Sequence, residues 1–432
     1  MSVDAIEIRP LARPPDAVVT VPGSRSLTNR ALLVAALGAG RSVLDGAGFS
    51  DDTDVMAAAW RQLGVAVTAD AGARRVVVEG CGGRWPVTRA DVNVGAAGTA
   101  MRFLTAALCV GHGQYRIDGS ARMRQRPIQD LLEALNQLGA RTRSEHDTGC
   151  PPVVIDAGGL PGGSATVAGD KSSQFLSALL MAAPYAQRDV SITVRGRLIA
   201  RPFVDMTIGV MGDFDVACER EGDVRFDVRC GQRYRGRTYQ VEPDALGAHY
   251  FFAAAAVTGG RVRVSGIGRR SRQGDVRFVD VLKAMGAGVT CGRDSSGEEF
   301  IEVTGPAQLD GVEVDLNEIS DTALTLAAIA PFARAPVRIR NVAHIRLQES
   351  DRLRAAATEL QRLGVTVNER DDGLDIQPSA VRPATVHTYD DHRVAMSFAL
   401  IGLRVAGIRI ADPACVAKTF PDYFSRLETL RR

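Results

Sequence analysis

The side chains best suited to chemistry stand in short polar clusters, each placed directly before a run of small apolar residues. Ser24-Arg25-Ser26 and Arg30 mark the first run, Gly98-Thr99 with Arg102 the second, and Ser172-Ser173-Gln174 the third. Asp321 marks the fifth and Asp391-His392-Arg393 the sixth. Arginine forks and hydroxyls bind phosphate and carboxylate oxygens. A helix start adds free backbone N–H groups and a partial positive charge. Several such starts brought together would hold an anion without any general excess of positive charge. Each residue also has a plainer reading, since Ser, Thr, Asp and Gly are ordinary helix caps and Arg30 fits a surface position. The concentration of ionic and hydroxyl groups before nearly polar-free helices favours the chemical reading.

The elements that carry these clusters recur. Apolar helix-like segments begin at Ser26, Gly98, Ser172, Gly247, Ser320 and Asp390, so successive starts are 72, 74, 75, 73 and 70 residues apart. A second helical motif keeps the same pace and ends in Leu63-Gly64, Leu138-Gly139, Met211-Gly212, Met285-Gly286 and Leu363-Gly364. Glycine there suits a left-handed helix end. Alternating runs such as Arg261-Val262-Arg263-Val264 predict half-buried strands. The pattern predicts six copies of a unit with two helices and several strands, three copies in each of two domains. The apolar first helix of each copy belongs at a domain centre.

With 432 residues, two domains are expected. The balance of 52 basic and 50 acidic side chains argues against a nucleic-acid or membrane-surface binder. The first fifteen residues lack the order of a signal peptide, and no apolar stretch is long enough for a membrane span. The seven cysteines are scattered, with no CxxC pair and no zinc-ligand spacing, so the expectation is a cytoplasmic protein with reduced thiols, no metal and no cofactor.

The longer motifs are specific. PGSRSLTNRALL, AGTAMRFL, RQRPIQDLLEAL, GDKSSQFLSALLMAAP, SDTALTLAAIA, QESDRL, YDDHRVAMSFAL and AKTFPDYF follow one another along the chain. In this order and spacing the sequence resembles the 5-enolpyruvylshikimate-3-phosphate synthase (EPSP synthase) family over essentially its whole length. The resemblance implies a two-domain inverse α/β barrel built of βαβαββ-type units, three per domain. It implies one domain from residues 1–21 plus 241–432, a second from 22–240, and an active site in the cleft between them. The implied reaction moves the enolpyruvyl unit of phosphoenolpyruvate to a hydroxyl of a phosphorylated alcohol and releases phosphate. Both substrates are small molecules, and the expected enzyme is a monomer.

By motif, the resemblance assigns phosphoenolpyruvate to Arg25, Gly98, Arg126, Gln174, Arg352, Arg393 and Lys418. Asp321 is the implied base and Glu349 the implied acid, with Arg25 and His392 beside them. The acceptor falls to Arg25, Ser26, Arg30, Ser172, Ser173, Gln174, Ala200, Asp321, His344 and Gln348. Several of these depart from the family pattern. Arg25 replaces a lysine, as does Gln348; Ala200 and Phe203 stand where serine and tyrosine are expected, and Ala96 and His344 where asparagine is. Most departures fall on the acceptor side. The resemblance implies shikimate 3-phosphate as the acceptor, while the departures on that side argue for the alternative, another phosphorylated alcohol such as UMP, whose 3′-hydroxyl is used by relatives in nucleoside-antibiotic biosynthesis. Arg25 also alters one wall of the site taken by the family inhibitor glyphosate, which predicts weakened inhibition. A related enzyme acting on UDP-N-acetylglucosamine carries a loop cysteine, and the stretch Ser120–Arg126 has none.

Overall fold

In the computed structural model, residues 5–431 are described. The chain forms two compact units, Gly23–Val241 and the discontinuous pair Met1–Pro22 with Glu242–Arg432. Twelve α-helices occur among the described residues. The six that correspond to the apolar segments are α1 (Arg25–Leu37), α3 (Gly98–Leu108), α5 (Ser173–Ala182), α7 (Ala245–Thr258), α9 (Ala323–Ile329) and α11 (His392–Gly402). Alternating with them are α2 (Asp51–Gln62), α4 (Gln129–Gln137), α6 (Pro202–Asp213), α8 (Phe278–Ala284), α10 (Arg352–Arg362) and α12 (Tyr423–Glu428).

Each repeat is built on one small mixed sheet. Arg89–Asn93 lies parallel to His112–Asp118, which pairs antiparallel with Val153–Gly158, itself antiparallel to Thr142–Ser144. With α3 and α4 between the strands, the order is β-α-β-α-β-β. The sheets built on Val190–Arg195 and Val337–Arg340 repeat this pairing. The other three sheets borrow a strand from a distant stretch of chain. Thr238–Gln240 pairs with the strand Ala39–Asp45, Asp16–Val19 with Arg261–Ser265, and Ala5–Ile8 with Ile408–Ala411. The chain leaves and re-enters the discontinuous unit at one point, where the Asp244 N–H donates to the Pro22 carbonyl at 2.8 Å.

Within each unit the odd-numbered helices are central. Thirteen consecutive residues of α7, Ala245–Val257, are buried, and α7, α9 and α11 pack on one another. Alanine and glycine make that close approach possible because they bring little volume beyond the backbone. One polar thread crosses these helices. His249 Nδ1 lies 2.5 Å from the Leu246 carbonyl and its Nε2 2.8 Å from Thr325 Oγ1, which is 2.9 Å from Ser397 Oγ. A carbonyl only accepts, so Nδ1 carries the proton, Thr325 donates to Nε2, and Ser397 donates to Thr325.

Two expectations need correction. The fifth apolar segment does not begin as α-helix at Ser320: residues Asn317–Thr322 form a 3-10 turn with a kink at Ile319, and α9 starts at Ala323. The second helical motif is also out of register in one copy. Gly64, Gly139, Gly286 and Gly364 all take positive φ at helix ends, whereas Gly212 lies inside α6. The left-handed residue is Asp215 at φ 67°, and Val216 N–H closes the helix on the Met211 carbonyl just as Val65 closes on Trp60. Phe214-Asp215 is therefore the counterpart of Leu63-Gly64; aspartate tolerates the left-handed region better than most residues.

Candidate active site

In the discontinuous unit, four sequence-distant segments bring three cations against three carboxylates. The 3-10 turn before α9 supplies Asp321, the segment before α10 supplies Gln348 and Glu349, and α10 itself begins at Arg352. The start of α11 supplies Asp391, His392 and Arg393, and the 3-10 turn Pro413–Lys418 ends in Lys418. Arg352 is 2% exposed and at the centre. Its Nε and Nη2 donate to Asp391 at 2.8 and 3.2 Å, Nη1 to Asp321 at 3.1 Å, and Nη2 to Glu349 at 2.9 Å. Gln348 Oε1 accepts from Arg352 as well. Arg393 donates to the other oxygen of Asp321 at 2.8 Å, and Lys418 to the other oxygen of Glu349 at 2.6 Å.

Asp321 thus bridges two arginines, and Glu349 an arginine and a lysine. Burial alone would disfavour charge on Arg352, but Asp391 and then Glu349 outweigh it and hold the guanidinium above its ordinary range. Burial likewise opposes Arg393, and Asp321 reverses the effect. Asp391 is fully buried and caps α11 by accepting from the Arg393 N–H at 3.0 Å. Ser350 donates to it at 2.9 Å. A buried carboxylate with this many donors is a rigid anchor for the arginine it holds.

His392 differs from its neighbours. It is 1% exposed, neither ring nitrogen has a hydrogen-bond partner, and burial, then Lys418, push its pKa well below the ordinary value. It is a neutral ring beside the cluster. His344, lowered to about 4 by burial, shares a 2.8 Å hydrogen bond with Ser320 Oγ and so stands on the turn that carries Asp321.

In the unit Gly23–Val241, Ser24 caps α1 by accepting from the Leu27 N–H, which leaves Arg25 and Ser26 half-buried at the helix start. Arg25 pairs with Asp52 at 2.6 Å. Arg30 is 2% exposed and spends its donors inward, on Thr207 Oγ1 at 2.7 Å, the Ser26 carbonyl at 2.9 Å and the Phe203 carbonyl at 3.1 Å. Burial, reinforced by Arg25, pulls its pKa down to about 9. The surface position considered for Arg30 is wrong: it braces α1 against α6. Gly98 begins α3 without a side-chain cap, and a Cβ there would lie 2.7 Å from Arg126 Nη1 and 2.9 Å from Arg102 Nη1. Only glycine lets two guanidinium groups rest on that backbone. Ser172 caps α5 by accepting from the Gln174 N–H at 3.2 Å, Ser173 is buried behind it, and Gln174 Nε2 reaches Thr99 Oγ1 at 3.3 Å. Ala200 lies just before α6 with φ 47°, a backbone shape that alanine rarely adopts.

Three participants carried no role in the sequence reading. Arg102 stands at a helix start, where its Nη1 donates to the Gly98 carbonyl at 3.1 Å and helps to build the guanidinium pair. Asp391 lay inside a noted motif, and only the structure reveals that it holds Arg352. Asp52 had no signal beyond an acidic first helical turn, which ordinarily complements the helix dipole. Among the described residues, no group of three or more His, Cys, Asp or Glu side chains is arranged to hold a metal ion, and no helix is long and apolar enough to cross a membrane.

Comparison with known proteins adds to this geometry. The sequence pattern of EPSP synthase (3-phosphoshikimate 1-carboxyvinyltransferase) matches residues 13–427. A 3-phosphoshikimate 1-carboxyvinyltransferase of Nostoc punctiforme is 50% identical over 424 residues, covering 98% of this chain and 98% of its own length. Among solved structures, EPSP synthase from Acinetobacter baumannii has a TM-score of 0.82 at 26% identity, covering 98% of this chain and 97% of its own. The enolpyruvyl transferase NikO from Streptomyces tendae has a TM-score of 0.79 at 20% identity, covering 99% and 97%, a likeness of fold alone.

Proposed function

Because the chain belongs to the EPSP synthase family, we propose that it transfers the enolpyruvyl unit of phosphoenolpyruvate to the 5-hydroxyl of shikimate 3-phosphate and releases phosphate. The observation that carries the chemistry is the cluster of Arg352, Arg393 and Lys418 closed by Asp321 and Glu349. Whole-length relatives at half identity support shikimate 3-phosphate over UMP as the acceptor.

Without substrate, the carboxylates act as counter-ions for the cations. An incoming phosphoenolpyruvate brings its own carboxylate and phosphate to Arg352, Arg393 and Lys418; Arg25, Gly98, Arg126 and Gln174 are the further residues assigned to this substrate. With Arg393 turned to the substrate, Asp321 gains proton affinity and takes the proton of the acceptor hydroxyl, whose oxygen attacks C2. Glu349, no longer neutralised by Lys418, gains proton affinity and can deliver a proton to C3. The tetrahedral adduct then returns a C3 proton to the Glu349 carboxylate as its C2–O bond to phosphate breaks, leaving the enol ether and free phosphate. Arg25, Ser26, Ser172, Ser173, Gln174, Ala200, His344 and Gln348 are assigned to the acceptor. Arg30 contributes there by holding α1. His392, kept neutral by burial, adds no charge of its own beside Lys418. We place the enzyme in the cytoplasm.

The test is phosphate release from phosphoenolpyruvate by purified protein, with shikimate 3-phosphate and UMP supplied separately. Release with shikimate 3-phosphate is expected; release with UMP alone would move the assignment to the other acceptor.

A further inference from the structure

The start of α11 leaves its preceding strand through an unusual turn. Tyr389 and Asp390 both adopt left-handed backbone, with φ of 56° and 54°, and the Asp391 N–H donates to the Thr388 carbonyl at 2.9 Å. This is the φ pattern of a type I′ turn, for which Asn-Gly is the preferred pair because both central residues need positive φ. Tyr-Asp is a poor choice for it, and a bulky residue keeps such a conformation only where the surroundings enforce it. The position is critical: Asp391, the residue that leaves the turn, both caps α11 and holds Arg352, and Arg393 follows two residues later.

The enforcing group is Glu359. It lies two turns along α10 from Arg352 and is 0% exposed, which is rare for a carboxylate in mid-helix. Its two oxygens face the turn. Oε2 accepts from the His387 N–H at 3.0 Å and Oε1 from the Tyr389 hydroxyl at 2.7 Å. Tyr389 as a whole residue is 44% exposed, so the hydroxyl bond, not core packing, ties it down. Arg362 Nη2, one turn further along α10, donates to the Thr385 carbonyl at 3.2 Å in the same approach segment. The helix that begins with Arg352 therefore grips, from its middle, the turn that launches Arg393.

We propose that Glu359 is a positioning residue, which braces the left-handed Tyr389-Asp390 turn through the tyrosine hydroxyl and so keeps Arg393 and the Asp391–Arg352 pair in register for anion binding. The proposal rests on the functional reading above for its kinetic arm only. Glu359→Gln keeps shape but offers one accepting oxygen, and Tyr389→Phe removes only the hydroxyl. Each is expected to raise KM for phosphoenolpyruvate by about tenfold, the effect of one buried charge-assisted hydrogen bond, with KM for shikimate 3-phosphate unmoved. Adding Asp390→Gly should restore the value, because glycine holds positive φ without a brace. A residue that merely stabilised α10 would not be rescued from the turn. In parallel, amide hydrogen exchange at residues 391–394, followed without substrate, should speed up in either single variant and return with Asp390→Gly. Unchanged exchange and unchanged KM in both single variants, or no recovery with Asp390→Gly, overturns the brace. Should Glu359→Gln fail to fold, Tyr389→Phe, which removes one hydroxyl from an exposed residue, carries the same test. A wild-type protein without transferase activity overturns the functional reading, while the exchange measurements still decide the brace.

Discussion

At Gly98 the absence of a side chain does the positioning. An added methyl would enter the space of the Arg126 and Arg102 guanidinium groups, both of which are side-chain ends able to swing away. Gly98→Ala is therefore expected to fold normally and to raise KM for phosphoenolpyruvate by about tenfold or more, the loss of one charge-assisted contact; an unchanged KM would show that Arg126 does not bind there. Asp321 and Glu349 make a different prediction. Asp321→Asn and Glu349→Gln preserve shape and should each lower kcat by about 100-fold or more, as expected of proton-transfer groups. A near-normal kcat in either would remove that residue from its role. These residues were legible because their motifs are long and specific. Asp52 was not, since its meaning depends on an arginine 27 residues away that only the fold brings to 2.6 Å. Arg30 was legible as important but not as buried, because nothing local reveals that Thr207 and Phe203 will receive its donors.

Helices whose ends depend on local chemistry were read best. Four of the five expected glycine ends take positive φ, while α6 delegates that role to Asp215. Opposite stability changes follow. Asp215→Gly should stabilise by about 0.5–1 kcal/mol by relieving a left-handed aspartate. Gly139→Ala should cost about 1 kcal/mol or more, since it adds strain and drives a methyl to 2.7 Å from the Pro161 ring. Urea denaturation checks both, and equal signs would refute the register. The fifth apolar segment was misread for a related reason. Its periodicity continues through Ser320 and Asp321, but the kink at Ile319 makes this stretch a separate 3-10 turn, which frees Asp321 from a helical cap role. Periodicity reports which face is buried, not where the backbone changes pitch.

For the molecule as a whole, the buried histidines set an acid limit. Burial lowers the pKa of His249 to about 3 from an ordinary 6.5, so below pH 6.5 the unfolded chain binds a proton that the folded chain refuses. Stability then rises with pH through that window and is lost as pH falls. At pH 5 the loss from this residue alone amounts to about 2 kcal/mol relative to pH 7. Asp275, raised to about 8 by burial, works in the opposite direction between pH 3.8 and 8. Comparing wild type with His249→Gln isolates the histidine: stability measured from pH 5 to 7 should be flatter in the variant by about one proton, and an identical slope would mean that His249 is charged in the fold. The six-fold repeat was visible from spacing alone, but the borrowed strands were not. Periodicity left open how the chain passes between domains, because a strand such as Asp16–Val19 carries no local mark of a partner more than 200 residues away. That borrowing has a consequence for synthesis. Asp16–Val19 is made before its partner Arg261–Ser265, and Ala5–Ile8 before its partner Ile408–Ala411, with the whole of the other unit in between. All the strands of Gly23–Val241, by contrast, are available once Gln240 has emerged. The discontinuous unit thus begins to leave the ribosome before Gly23–Val241 and is completed after it, so its early strands stay unpaired while the other unit folds.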